Sequence, residues 1–316
     1  PPLAGPPRHD PETVGVANLV SDVMTEGTAS RTPLELEEAI EGLGASISMF
    51  TGRQSINLNA SGLKSRTGEI FALAQEILLE PRWDETEFAR IKDETVETLN
   101  RQTVNPGAVA ANVFGSLVYG ENSILGKNTF GNPETVRAIT MDDVRAHYDA
   151  NFSPSISFIT VAGDITQAEA IELFRPLEES WAGKDVPDFA FPEVEPQDGP
   201  ALYFVDMPGS QQSQITVGQL AVPRTHPDYF ANSVMNYQLG GSFNGVLNMI
   251  LREEKGFTYG AGSGFSGSFY PRQYQNASRS LVRLYTLIGN RYFPGWLRNP
   301  VVAVGRGRSS STNSPT

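Results

Sequence analysis

The sequence contains no cysteine and only three histidines among its 316 residues. The absence of cysteine excludes disulfides, thiolate metal sites and a cysteine nucleophile. The histidines are His9, His147 and His226, and none lies three or four residues from another. A histidine-based metal site is therefore not expected, because such sites place imidazoles on one face of a helix or loop. His147 and His226 are predicted to have packing or surface roles.

Long apolar runs and common catalytic motifs are also missing. No run approaches the roughly 18 apolar residues of a membrane span, so no membrane-spanning helix is predicted. The chain has no G-x-S-x-G nucleophile elbow, no Walker A loop and no dinucleotide-binding fingerprint. A net charge of -12 leaves no basic surface for a phosphate backbone, which argues against nucleic-acid binding.

Both ends of the chain have unusual compositions. It begins "PPLAGPPRHDPETVG", without a methionine or the pattern of a signal peptide, which indicates either a processed piece or a late gene start. We expect a disordered lead over residues 1–13. No aspartate or glutamate occurs from Lys255 onward, although the chain holds 36 of them. This predicts an atypical tail after about residue 270, ending in a disordered "VGRGRSSSTNSPT".

The middle of the sequence mixes helical and strand patterns. Helical periods with glycine stops predict helices in residues 14–25, with Gly27 as a cap, and in "SRTPLELEEAIEGLG". "ASISMFTGRQSINLNASGL" alternates apolar and polar residues and predicts a hairpin. After further amphipathic helices, "SISFITVAGDI" predicts a buried strand between two helices. These segments form a first domain over residues 14–182, of the α+β class.

A second domain follows a proline-rich linker over residues 183–200. Residues 201–316 begin with two predicted strands around a Pro-Gly turn. Two helices come next, in "HPDYFANSVMNYQLGGS" and "FNGVLNMILREEKG", and strand-like alternation returns in "FTYGAGSGFSGSFY".

Four stretches taken together resemble a known family. They are "GVANLVSDVMTEGTASRTPLELEEAIEGLGASIS", "NFSPSISFITVAGDI", "PGSQQSQITVGQ" and "LGGSFNGVLNMILREEKGFTYGAGSGFSG". In order and spacing they are similar to the signature regions of M16 (pitrilysin or insulinase-like) zinc peptidases and their inactive partner subunits. The resemblance runs from Val14 to Phe269. It implies two related domains, each a curved, mainly antiparallel sheet backed by helices, with the second domain truncated here.

In active family members the first helix carries His-x-x-Glu-His, in which the histidines bind zinc and the glutamate activates water. The matching positions in this chain are Asn18, Ser21 and Asp22. Asp22 alone could contact a metal, and a serine hydroxyl has no usable pKa for a general base near neutral pH. The third ligand position falls near Glu97 or Thr98, and Thr98 fits the spacing better. The resemblance thus implies a degenerate site, with no cofactor in this chain.

The family's second half supplies an arginine and a tyrosine to the substrate, and this R-x6-Y pattern is filled by Arg252 and Tyr259. A guanidinium offers a planar fork of donors to peptide carbonyls, and a phenol can donate to a developing oxyanion. The expectation is a noncatalytic, peptide-binding subunit, with zinc expected in a partner subunit that carries His-x-x-Glu-His. The resemblance to this family suggests a periplasmic or cell-envelope location, with the cytoplasm as the alternative.

Other interpretations stay open at this stage. Arg252 could be a solvated charge at a helix end, and Tyr259 a core residue of a strand. Gly240, Gly241 and Gly264 could let a peptide backbone lie against a sheet edge, although helix termination explains the first two equally well. The whole chain could be a structural or peptide-binding relative without a peptidase role, or a truncated, non-functional product.

Overall fold

The computed structural model describes residues 13–52, 55–121, 123–186, 201–210, 213–222, 224–266, 281–288 and 301–306. The chain divides into two compact units. Unit 1 combines Pro1–Leu99 with Asn128–Ala190, and unit 2 combines Asn100–Lys127 with Phe191–Thr316.

Helices and strands alternate in groups along the chain. The helices are α1 (Val16–Met24), α2 (Pro33–Gly42), α3 (Thr67–Leu79), α4 (Glu85–Thr103), α5 (Pro106–Tyr119), α6 (Pro133–Ala138), α7 (Met141–Asn151), α8 (Gln167–Ser180), α9 (Tyr229–Asn236) and α10 (Val246–Asn248). The strands are β1 (Ser46–Thr51), β2 (Ile56–Ser61), β3 (Ala201–Asp206), β4 (Ser213–Leu220), β5 (Ala261–Ser266), β6 (Leu281–Ile288) and β7 (Val301–Arg306). Two π-helical segments, Tyr237–Gly241 and Met249–Glu254, extend α9 and α10.

Helix α2 begins where its sequence predicts. The Thr32 hydroxyl accepts a hydrogen bond from the Glu35 N–H, and the Glu35 carboxylate accepts one from the Thr32 N–H at 2.8 Å. Pro33 occupies the first turn, where a missing N–H costs nothing. Thr140 and Thr166 begin α7 and α8 with the same reciprocal capping box. These local signals explain why helix starts can be predicted from short stretches of sequence.

Unit 1 is built around α1 and the β1–β2 hairpin. The strands pair antiparallel from Ser46 opposite Ser61 to Thr51 opposite Ile56, which confirms the predicted hairpin. Its connection at residues 53–54 lies outside the described residues. The apolar face of α1 is buried, as its helical period predicts. It joins one core cluster with residues of α4, α6 and α7: Val16, Leu19, Val20, Val23, Met24, Phe88, Ile91, Val96, Leu99, Val136, Ile139, Met141 and Val144.

The prediction of a buried strand in "SISFITVAGDI" is wrong. Pro154–Ile156 forms a 3-10 turn, and residues 157–162 form neither helix nor strand. Phe158 and Ile159 are 51% and 54% exposed. Across the described residues, the backbone of residues 158–162 makes no hydrogen bond. The segment has a strand-like pattern, but none of the described strands pairs with it, and its apolar side chains line an open groove.

This groove has a volume of about 470 Å³ and lies within unit 1. Its walls are β2, α3, α8 and the segment 157–165, and its lining is mainly apolar, including Leu58, Ile70 and Phe174. The rings of Phe71 and Phe174 meet edge to face, with their centroids 4.5 Å apart. The side of β2 away from β1 has no partner strand within the described ranges.

Unit 2 contains a five-stranded sheet in the order β3-β7-β4-β6-β5. Strand β7 pairs parallel with β3 and antiparallel with β4, whereas β6 pairs antiparallel with both β4 and β5. The two strands predicted around the Pro-Gly turn are therefore present, but they are not neighbours. Helix α5 packs on this sheet through Phe114 and Val118, which contact Tyr203 and Leu220.

The units differ from the predicted division at two places. Residues 100–127 group with unit 2 rather than with the first domain, because α5 buries its apolar face on the second sheet. The tail after residue 270 contributes β6 and β7, so Val304, Gly305 and Arg306, predicted to be disordered, lie in a strand. Residues 1–12 of the predicted lead over residues 1–13, and residues 187–200 of the predicted linker, lie outside the described residues. Within the described ranges, no helix is long and apolar enough to cross a membrane.

Candidate functional site

Helix α1 carries three of the positions singled out in the sequence. Asn18 is buried, and its side-chain amide donates a hydrogen bond to the backbone oxygen of Thr129. Ser21 is also buried, and its hydroxyl lies 2.6 Å from the hydroxyl of Thr51 and 3.2 Å from the Ala17 oxygen. The Thr51 hydroxyl donates to the same Ala17 oxygen at 2.8 Å. Both side chains are thus engaged in joining α1 to its neighbours.

Asp22 has a different environment. Part of its side chain faces solvent, yet protein atoms around the carboxyl displace water and raise its pKa from 3.8 to about 6. The nearby Glu26 carboxylate is a second, smaller cause, because two negative charges repel each other. Asp22 is therefore a carboxyl group that takes up a proton in a mildly acidic range.

The donor set at these positions does not fit a zinc ion. An asparagine amide bonded to a carbonyl and a serine hydroxyl bonded to two oxygens are poor substitutes for neutral imidazole and carboxylate ligands. Thr98, at the expected third-ligand position, lies on the exposed surface of α4 beside Glu97. Throughout the described part of the chain, no three His, Cys, Asp or Glu residues cluster as metal ligands would. Of the three histidines, His147 is buried and His226 Nδ1 accepts from the Asp228 N–H at 3.1 Å, whereas His9 lies outside the described residues.

Arg252 lies in the π-helical segment of unit 2, and its guanidinium is oriented by two neighbours. Its central carbon lies 4.6 Å from the centroid of the Phe243 ring, in cation–π geometry. Its Nη1 lies 3.5 Å from a carboxylate oxygen of Glu253. The side chain is about one-third exposed, at 34%. Arg252 therefore differs from the solvated helix-end charge that its sequence context alone suggests, because an aromatic face supports the guanidinium plane.

The chain turns sharply between Arg252 and Tyr259. Gly256 has a φ of 61°, which is the left-handed conformation that glycine adopts without strain. The Gly256 N–H bonds the Arg252 oxygen at 3.1 Å, which closes the helix end as in the αL motif, and the Phe257 N–H bonds the Leu251 oxygen at 2.9 Å. Tyr259 follows three residues after the turn and is 84% exposed. It is not a core residue, and its phenol makes no hydrogen bond to any described residue.

Sequence reasoning missed the residues that surround this pair. Phe243, under Arg252, is 66% exposed. Asn248 is buried and bonds the backbone at Phe243 and Ala261. The sequence does contain a signal for Asn248, which is a polar residue inside the otherwise apolar run "VLNMIL". Gly240 packs internally, since a Cβ there would lie 2.8 Å from the Ser263 nitrogen, so its role is close packing within unit 2.

Two family descriptions match this sequence. Residues 4–123 match insulinase (peptidase family M16), and residues 138–279 match the peptidase M16 inactive domain. The first match includes Asn18, Ser21, Asp22 and Thr98, and the second includes Arg252 and Tyr259.

Several curated proteins are similar in sequence. An uncharacterized zinc protease of Streptomyces coelicolor is 24% identical over 264 residues, covering 81% of this chain and 57% of that protein. Zinc protease YmxG of Bacillus subtilis, also uncharacterized, is 22% identical over 253 residues, covering 80% and 60%. Mitochondrial-processing peptidase subunit beta of Dictyostelium discoideum is 25% identical over 245 residues, covering 73% and 50%. The chain thus spans between half and three-fifths of the length of these relatives.

Solved structures show the same fold. A peptidase M16 inactive domain from Pseudomonas fluorescens gives a TM-score of 0.81 at 23% identity, covering 90% of this chain and 67% of that one. A protease from Helicobacter pylori gives a TM-score of 0.78 at 16% identity, covering 92% and 69%. The predicted α+β fold is confirmed by these similarities.

Proposed function

Because the chain belongs to the M16 (insulinase) peptidase family, as its motifs predict, we propose that it is a noncatalytic, peptide-binding subunit of a heteromeric M16-type peptidase. In this proposal a partner subunit carrying His-x-x-Glu-His supplies the zinc. This chain binds and orients the peptide through Arg252 and Tyr259.

The observation that carries the proposal is the contrast between two sets of family positions. On α1, Asn18 and Ser21 are buried and hydrogen-bonded to neighbouring segments, so they have become structural. In unit 2, Tyr259 is 84% exposed and Arg252 presents a guanidinium supported by Phe243. An exposed phenol without a described partner, following a turn that fixes its chain direction, is available to a ligand.

The two side chains suit an extended peptide chemically. The guanidinium cannot lose its proton at physiological pH, and its planar fork of N–H groups matches the carbonyl oxygens of a peptide. The Tyr259 hydroxyl can donate to an oxygen that gains negative charge as a carbonyl is attacked. A donor that strengthens its bond as charge develops stabilises the transition state more than the bound substrate.

A heteromeric assembly is supported by one class of relatives. Mitochondrial-processing peptidase subunit beta, from Dictyostelium discoideum and from Arabidopsis thaliana, is named as a subunit of a larger enzyme. Pairing with a catalytic M16 subunit would supply the metal ligands that the α1 positions of this chain lack.

The test is reconstitution of cleavage. The purified chain is mixed with a candidate M16 subunit that carries His-x-x-Glu-His, and cleavage of a quenched fluorescent peptide is followed. We expect Arg252→Ala or Tyr259→Phe to lower kcat/KM by about tenfold or more, because removing one oxyanion-hole donor typically lowers kcat by about 100- to 1,000-fold. Arg145→Ala on the surface of α7 and Tyr237→Phe in unit 2 are the matched controls, expected to change it by less than about twofold.

Unchanged cleavage in both Arg252→Ala and Tyr259→Phe would overturn the proposal. A chain that binds unfolded polypeptide through these residues, but never restores cleavage with any candidate partner, would instead favour a peptide-binding relative without a peptidase role.

A further inference from the structure

A buried polar cluster in unit 2 links the two sides of the peptide-binding pair. It consists of Asn236, Asn248 and Ser263. Three of its hydrogen bonds join helical segments to β5, and a fourth joins the Asn248 side chain to the Phe243 backbone. Asn248 is 2% exposed and Asn236 is 6% exposed. Buried side-chain amides almost always have hydrogen-bond partners, because a buried polar group without a partner destabilises the fold.

Asn248 makes one bond to each side. Its Nδ2 donates to the backbone oxygen of Phe243 at 2.7 Å. Its Oδ1 accepts from the backbone N–H of Ala261 at 3.1 Å. Phe243 carries the ring under the Arg252 guanidinium, and Ala261 lies two residues after Tyr259. A single side chain thus connects the support of Arg252 to the strand that follows Tyr259.

Asn236 and Ser263 fix the same strand at a second point. Asn236 Nδ2 donates to the Ser263 backbone oxygen at 2.9 Å, and the Ser263 hydroxyl donates to Asn236 Oδ1 at 2.5 Å. Backbone groups at residues 261 and 263 point to the same side of an extended strand. Strand β5 is the last strand in the described sheet order, so these side chains bond its outer edge. Its register against the helical segments is therefore fixed twice.

We propose that Asn248 is a positioning residue that sets the relative placement of Arg252 and Tyr259 for peptide binding. This inference rests on the proposed function. It assigns Asn248 no contact with the peptide, because the side chain is buried and both its polar atoms are bonded to backbone groups. Loss of the bond to Phe243 frees the ring and, with it, the guanidinium stacked on that ring.

The experiment measures binding of the full chain to fluorescein-labelled β-casein, an unfolded polypeptide, by fluorescence anisotropy. Asn248→Ala removes both hydrogen bonds and is expected to raise the Kd by about tenfold, the scale of one lost buried hydrogen-bond network. Asn248→Asp keeps an acceptor for the Ala261 N–H but removes the donor to Phe243, so an equal loss is expected. Asn244→Ala, four positions away and exposed, is the matched control and should leave the Kd unchanged.

The same substitution is then made in an Arg252→Lys background, which keeps the charge but loses the planar group. If Asn248 acts through Arg252, Asn248→Ala should raise the Kd by less than about twofold there, because the two effects are coupled. Equal losses in both backgrounds would show that Asn248 affects binding independently of Arg252 and would overturn the inference. Thermal midpoints and near-ultraviolet circular dichroism establish that each variant is folded.

A second variant keeps the test decisive if the Asn248 variants do not fold. Phe243→Ala changes an exposed side chain, and we expect it to weaken binding by a similar factor, without further loss in the Arg252→Lys background. Additive losses would overturn the inference. Weaker binding for Arg252→Ala combined with unchanged binding for Asn248→Ala would overturn this inference alone. Unchanged binding for Arg252→Ala and Tyr259→Phe would overturn the proposed function together with it.

Discussion

Asp22 shows how a carboxyl group largely surrounded by protein atoms can lower stability near neutral pH. Its carboxyl has a pKa of about 6 in the folded chain, against an ordinary value of 3.8, chiefly because burial disfavours the charge and secondarily because of Glu26. Between these two values the folded state holds more protons than the unfolded state. The free energy of unfolding contributed by Asp22 therefore falls as the pH rises from about 4 to about 6.

Replacement of Asp22 by asparagine removes this penalty. We expect Asp22→Asn to raise the free energy of unfolding by about 1 kcal/mol at pH 7, a value reduced because the side chain is partly exposed to solvent. At pH 4 the two proteins should be nearly equally stable, because the wild-type carboxyl is largely protonated when folded. Urea denaturation at both pH values measures the difference, with Asp93→Asn on the surface of α4 as control. A gain that is the same at both pH values would contradict the assignment.

At this scale the sequence identifies residues but not their surroundings. Arg252 and Tyr259 could be selected from the sequence through the family resemblance, which supplies the R-x6-Y pattern. Their environments could not, because the contacts of Phe243 with Arg252 and of Asn248 with β5 join residues that are not adjacent in sequence. Likewise, the sequence shows that Ser21 is no base, but not that its hydroxyl joins α1 to Thr51. Side-chain partners distant in sequence depend on packing, which short patterns do not encode.

Among the elements, the segment 158–162 has the clearest mismatch between pattern and structure. Its alternation is typical of a buried strand, but no described strand lies beside it. A helix satisfies its own backbone groups, whereas a strand needs a neighbour to do so. We therefore expect the amides of residues 158–162 to exchange with deuterium within seconds at neutral pH, as in an open segment.

Hydrogen–deuterium exchange followed by mass spectrometry checks this expectation. Peptides that cover α1 are the internal reference, because its buried backbone should exchange orders of magnitude more slowly. Strong protection of residues 158–162 would contradict the expectation and would indicate that another segment pairs with them along the groove.

Helices and sheets also differ in how far the sequence predicts them. The starts of α2, α7 and α8 depend on Thr, Pro and acidic residues within one turn, so they can be predicted from a few neighbouring residues. The order of strands in unit 2 cannot be predicted in this way, because β7 lies between β3 and β4 although it begins about 80 residues after β4 ends. The grouping of α5 with unit 2 has the same origin in contacts between distant segments.

At the scale of the whole molecule, the central expectation concerns metal content. The α1 positions provide bonded amide and hydroxyl groups instead of imidazoles, so we expect the purified chain, without a partner, to hold far less than one zinc per chain. Elemental analysis after dialysis against zinc measures this, and a chain with His-x-x-Glu-His analysed in parallel is the control. Stoichiometric zinc in the chain alone would contradict the degenerate-site interpretation.

The chain covers only part of the length of its relatives, between 50% and 60% of the three compared above. The family and the fold do not depend on that length, since the two family matches extend across residues 4–123 and 138–279.

The strand order of unit 2 has a consequence for biosynthesis. Strand β4 lies between β7 and β6, both of which are made long after it, so β3, β4 and β5 cannot complete their hydrogen bonding until the ribosome has passed Arg306. Until then the apolar face of α5 has no finished sheet to cover it. The nascent chain should therefore need protection from aggregation late in translation, and premature termination before residue 281 would remove the two strands that hold the others together.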